Sequence, residues 1–135
     1  LANVVVSNGM VNPQPLAEVL PLVDAANIDL KGFTDEYYRK LGGDLEAVKE
    51  FIKTAASEAH VELTTLIVPG ENDGDDEMAA LSAWIASVDR KIPLHLTRFF
   101  PRRLMSDRKP TETALLRRLA EIAAKRLDTV VMGNV

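Results

Sequence analysis

The sequence predicts an α/β fold, an arc of a barrel built from parallel strands, and two observations carry that prediction. Short apolar runs alternate strictly with longer stretches of helical period, giving about five strands and four or five helices in 135 residues. Strict alternation of this kind means parallel strands joined by right-handed crossovers. The inner strands also carry their polar residues on one face only. Strands of an open sheet covered by helices on both sides are apolar on both faces, whereas one polar face per strand suits the lining of a barrel lumen.

The elements follow in order. Residues 3–7 are short and β-branched and stop at Asn8-Gly9, a turn signal. Pro15 suits a first helical turn, and Leu16, Val19, Leu20 and Val23 continue as an apolar stripe that Pro21 shortens or kinks. Residues 26–31 form a second strand, and Thr34-Asp35-Glu36 cap a short helix through Leu41, broken at Gly42-Gly43. Residues 45–59 are the clearest helix, with Leu45, Val48, Phe51, Ile52, Ala55 and Ala59 on one face.

A third strand spans 61–68 and ends at Pro69-Gly70; Asp75-Asp76-Glu77 then place carboxylates where a helix dipole favours them. Met78, Leu81, Ala83, Trp84, Ile85 and Val88 fill the buried side of that helix. A fourth strand covers 94–99 and a basic loop 101–110. Thr111-Glu112 open a last helix carrying Leu115, Leu116, Leu119, Ile122 and Ala123, and a final strand spans 129–132.

Composition narrows the function classes. A net charge of −4 gives no broad phosphate-neutralising field, which argues against nucleic acid or an anionic membrane as the main partner. Cys is absent, which removes disulfides, thiolate metal sites and thiol nucleophiles together and is compatible with a cytoplasmic setting. No apolar run has the length of a spanning helix. The opening Leu1-Ala2-Asn3-Val4-Val5-Val6 has no polar lead-in, so the chain reads as a fragment of a longer protein.

The sharpest constellation is Asp29 with Lys31. The period of two puts both on one face of the second strand, opposite Ile28 and Leu30, at the strand end where α/β folds place ligands. A carboxylate and an ammonium there suit a zwitterion, a ribose plus a carboxylate, or acid–base work; a salt bridge holding the strand end is the equal alternative. By the same count Glu62 and Thr64 share a face, as do His95 and Thr97. Ser7-Asn8-Gly9 close the first strand at the same rim, either as ligand donors or as a plain turn. Val68-Pro69-Gly70 make a third rim loop that needs only a turning role, with Glu71 through Glu77 as a solvated acidic helix start.

His60 lies at the N-terminal end of its strand and reads as a structural or surface residue, while His95 points to the polar face but low in the barrel, with a ligand role the lesser alternative. Arg98, Arg102 and Arg103 cluster after the fourth strand, where solvated loop charges are the default and a phosphate, carboxylate or partner protein the alternative. No Ser–His–Asp set, phosphate-cradling glycine loop or metal spacing stands out.

Several segments in register resemble a known family. They are Val4-Val5-Val6-Ser7-Asn8-Gly9-Met10, Ala26-Asn27-Ile28-Asp29-Leu30-Lys31-Gly32-Phe33, Leu63 through Asp73 with its Val68-Pro69-Gly70-Glu71-Asn72-Asp73, His95-Leu96-Thr97-Arg98-Phe99, and Val130 through Val135. Together they resemble the C-terminal half of a radical S-adenosylmethionine enzyme of the pyruvate formate-lyase activating enzyme-like group, and within it the AmmeMemoRadiSam-system radical SAM proteins.

That resemblance implies the C-terminal arc of a partial (β/α)6 TIM-like barrel, spanning residues 1–135, which binds S-adenosylmethionine beside a 4Fe-4S cluster. The cluster cleaves the sulfonium to a 5′-deoxyadenosyl radical that takes hydrogen from a protein or small-molecule substrate. It implies that Ser7, Asn8, Asp29 and Lys31 line the S-adenosylmethionine site and that the loop at Val68 and Pro69 passes near the adenine. The family's three cluster cysteines and its Gly-Gly-Glu segment have no counterpart in this sequence, so the cluster belongs to the full-length parent and this chain alone is expected to be inactive. Phe99-Phe100 stand where related proteins carry His.

Two other readings compete. Lys31 is a Schiff-base lysine of an aldolase-like barrel with Asp29 as proton shuttle, or the chain is a non-catalytic half-barrel that associates, as a homodimer or with a partner subunit, through exposed strand edges.

Overall fold

A computed structural model describes residues 1–102 and 106–135. Five strands, β1 (Val4–Ser7), β2 (Ala25–Asp29), β3 (His60–Ile67), β4 (Leu94–Arg98) and β5 (Val130–Gly133), form one sheet in the order β1-β2-β3-β4-β5. Every pair is parallel. Between them run α1 (Pro13–Val19) with a 3-10 turn (Leu20–Leu22), α2 (Asp35–Lys40), α3 (Leu45–Glu58), α4 (Asp75–Asp89) and α5 (Thr113–Ala124). A strand order that never reverses has no switch point, which separates this barrel-like arc from a doubly wound sheet. The predicted fold class holds.

Local chemistry explains the boundaries. Pro21 ends α1 as expected, because a helix-interior proline removes an amide donor, and the chain tightens into the 3-10 turn. Thr34 caps α2, its hydroxyl accepting from the Tyr37 amide at 3.2 Å, and Asp44 caps α3 by accepting from Ala47 at 3.2 Å. The last helix starts two residues later than the sequence suggests. Thr111 is instead fully buried and pins two strand ends: its hydroxyl donates to the Ile67 carbonyl at 2.6 Å and accepts from the Phe99 amide at 2.9 Å.

One sheet face is packed and the other is not. Ile28, Leu63, Leu94 and Leu96 are completely buried in one cluster with Val48, Ile52 and Ala55 of α3, Leu81 and Ile85 of α4 and Leu116 and Leu119 of α5. Burying each large side chain contributes about 1.5–3 kcal/mol. Helix α4 also buries Ser82, whose hydroxyl donates to the Met78 carbonyl at 2.8 Å, while Trp84 and Val88 pack against the core only partly buried and Ala83 stays outside that cluster. Among the described residues no helix is long and apolar enough to cross a membrane.

Gly32 follows β2 where no side chain fits. A Cβ there would lie 2.7 Å from the Tyr37 ring and 3.1 Å from Glu77 Oε1. Gly32→Ala is therefore expected to cost about 1–3 kcal/mol through overpacking; a urea midpoint unchanged from the parent would contradict that close fit.

Candidate functional site

The uncovered face of the sheet carries the polar residues, and the strand register arranges them in rows. Val6, Asn27 and Glu62 are aligned in one row; Asp29, Thr64, His95 and Val131 make the next; Leu66 and Thr97 lie beyond it with Gly133. Alternation along each strand then fixes the direction: Leu94 and Leu96 are sealed beneath helices, so His95 between them faces the open side. Thr64 donates its hydroxyl to Asn27 Oδ1 at 2.9 Å within this band.

Asp29 and Lys31 come together as the sequence predicts. Lys31 Nζ lies 3.2 Å from Asp29 Oδ2, and both side chains are about two-fifths exposed, 41% for the lysine and 40% for the aspartate. A pair this open is held weakly and can exchange its partner for a ligand's opposite charges. The backbone beneath it is held firmly. The Lys31 amide donates to Tyr38 Oη at 2.9 Å, and burial pushes the Tyr38 phenol up to about 12, keeping it neutral.

Asn72 is the main residue that sequence reasoning missed. It is 2% exposed and joins two rim loops: its Nδ2 donates to the carbonyls of Lys31 at 2.7 Å and Leu66 at 2.8 Å, and its Oδ1 accepts from the Val68 amide at 2.8 Å. Glu71 and Glu77 correct the same expectation of a solvated acidic stretch. Glu71 Oε1 binds both Lys40 Nζ at 2.6 Å and an Arg108 guanidinium nitrogen at 2.5 Å, while Glu77 Oε1 accepts from the Phe33 amide at 2.7 Å. Val68 is buried, and Pro69 offers its carbonyl to Arg108 at 3.2 Å.

The remaining predicted residues divide. Asn8 is exposed, with its Oδ1 accepting from the Met10 amide at 2.9 Å. Ser7 does not join Asp29: it registers with Ile28 on the packed face, accepts from the Gly9 amide at 3.1 Å, and lines an apolar cavity with Val5, Leu16, Val23 and Phe51. Arg98 donates to the Thr111 carbonyl and lies 4.8 Å from the Phe100 ring centre, so Phe100 packs against a cation. Arg102 is exposed, and Arg103 lies outside the described residues.

On the open face Glu62 sits between two imidazoles, 2.9 Å from His95 Nε2 and 3.2 Å from His60 Nε2. Among the described residues no group of three or more His, Cys, Asp or Glu side chains is arranged to hold a metal ion.

The carboxylates respond to pH in opposite directions. Hydrogen bonds from His60 and then His95 hold Glu62 below the ordinary range, and those from Lys40 and then Arg108 do the same for Glu71. Their contribution to stability is complete above the unfolded-state value and is lost as pH falls through the lowered folded values. Burial raises Glu77, so its contribution is complete below the unfolded value and declines as pH rises through the folded one. Thermal melts between neutral pH and pH 3 are expected to show falling stability on the acid side, with a shallower fall in Glu71→Gln. An identical slope in that variant would remove Glu71 from the account.

Set beside known proteins, the chain shares 38% identity over 136 aligned positions with an uncharacterized protein of Methanocaldococcus jannaschii; the alignment covers 98% of the chain and 40% of that relative. The chain therefore spans about two-fifths of the length of the curated relative it matches. No family model matches. Its fold is similar to the crystal structure of a domain of pyruvate-formate lyase-activating enzyme from Bacteroides vulgatus, with a TM-score of 0.81 and 15% identity, covering 96% of this chain and 80% of that one. At that identity the likeness is one of fold: a five-stranded parallel arc of the same shape.

Proposed function

We propose that this chain is the C-terminal part of a radical S-adenosylmethionine barrel, of the glycyl-radical-enzyme activating type, and that its open face holds S-adenosylmethionine. The observation that carries the reading is the half-exposed Asp29–Lys31 pair at the end of β2, on the uncovered face of an arc whose fold matches such an enzyme's domain. The donor set fits a zwitterionic nucleoside. Lys31 meets a carboxylate, Asp29 and Asn8 take an ammonium or ribose hydroxyls, and the loop at Val68 and Pro69, tied down by Asn72 and Arg108, bounds the site. Ser7 contributes by shaping the Gly9 turn beside Asn8.

The 4Fe-4S cluster is a different matter. The chain has no Cys, so its residues do not fit the cluster. In the parent protein another segment supplies the thiolates, and the reaction with a protein or small-molecule substrate belongs to that whole.

The Schiff-base alternative is less well supported, because the Lys31 side chain is 41% exposed beside a carboxylate, whereas a Schiff-base lysine is activated by desolvation in an apolar pocket or by a neighbouring cation. Calorimetric titration of the protein with S-adenosylmethionine tests the proposal, with borohydride trapping of carbonyl compounds alongside. Saturable binding without an adduct on Lys31 is expected; an adduct, or no uptake at all, would overturn it.

A further inference from the structure

The Glu62–His95 pair lies on the same open face as Asp29 and Lys31. Its chemistry is constrained. Glu62 is held ionised by two imidazole hydrogen bonds, and an ionised carboxylate only accepts, so the Nε2 of His95 at 2.9 Å must carry the proton. In a neutral imidazole that leaves Nδ1 as a bare lone pair. Among the described residues no hydrogen bond is made to it, and the side chain is 29% exposed on the uncovered face.

We infer that Glu62 is a positioning residue that fixes the His95 tautomer, so that Nδ1 accepts a hydrogen bond from an amine or hydroxyl of the molecule bound on the open face. Asp29, Thr64 and His95 are aligned on three successive strands, which places His95 about 10 Å across the sheet from Asp29, two strand spacings. A ligand touching both ends has the length of an amino acid joined to a nucleoside. The ligand half of this inference rests on the S-adenosylmethionine reading; the tautomer half does not.

Long-range nitrogen–proton NMR on the protein reads the tautomer directly. His95 is expected to carry its proton on Nε2, and Glu62→Leu to remove that bias. A proton on Nδ1, or an unaltered bias in the leucine variant, would overturn the positioning role. Two substitutions at His95 then separate ligand contact from a structural bond. The amide oxygen of asparagine reaches the neighbourhood of Nδ1, whereas glutamine reaches that of Nε2.

His95→Gln is expected to weaken S-adenosylmethionine binding about tenfold, the loss of one hydrogen bond, with little change in melting temperature. His95→Asn is expected to keep most of the affinity while losing some stability. Full affinity in the glutamine variant would overturn the ligand role. If the parent protein takes up no S-adenosylmethionine, the reading of the face fails and the ligand role with it, while the tautomer result stands or falls by itself.

Discussion

Asn72→Leu is expected to destabilise the protein by about 3 kcal/mol or more, since three backbone groups lose their partner at roughly 1–3 kcal/mol each. Leucine has a similar volume, so the loss is of hydrogen bonds rather than of packing: the Val68 amide and the carbonyls of Lys31 and Leu66 all depend on this one side chain. For a domain whose whole stability is about 5–15 kcal/mol, that is a large share. Asn72→Asp is expected to fall between, because it keeps the acceptor for Val68 and loses both donors. Urea unfolding measures both, and a cost under about 1 kcal/mol in the leucine variant would mean that water replaces the network without penalty.

Lys31→Ala is expected to lower S-adenosylmethionine affinity about 10- to 100-fold, from the loss of a charge-assisted hydrogen bond worth about 1.5–3 kcal/mol. Stability is expected to change little, since the ion pair it leaves is two-fifths exposed. Asp29→Asn keeps the shape and removes the charge, so it separates electrostatic attraction from hydrogen bonding. Affinity unchanged in Lys31→Ala by calorimetry would take the lysine out of the site. A fall in both affinity and unfolding midpoint would instead mark it as a strut of the β2 end.

The sequence discloses the fold because its strands differ between faces. In β2, in β3 as far as Thr64, and in β4 a polar residue alternates with an apolar one, and the same count that separates Asp29 from Ile28 separates His95 from Leu94. In β1 that signal vanishes. Val4-Val5-Val6 is apolar on both sides, so nothing in the string reveals which face Ser7 joins until pairing with β2 sets it opposite Ile28.

Asn72 was hidden for another reason. It lies among Glu71, Asp73 and Asp75, the pattern of a solvated loop, while its partners include a carbonyl 41 residues earlier. Burial of a polar loop residue is decided by such distant partners, which periodicity does not encode. Glu62 and His95 stand between these cases. Their shared face is legible from alternation, but their contact across 33 residues is not.

The unreversed strand order bears on how the chain reaches its structure. Each strand pairs with the one made just before it, so every ladder closes after a single crossover and no strand waits for a distant partner. Loop-closure entropy is then met in similar small instalments, and folding speed follows such locality. The polypeptide is expected to assemble progressively from either end, with partially folded forms exposing one unpaired strand at a time.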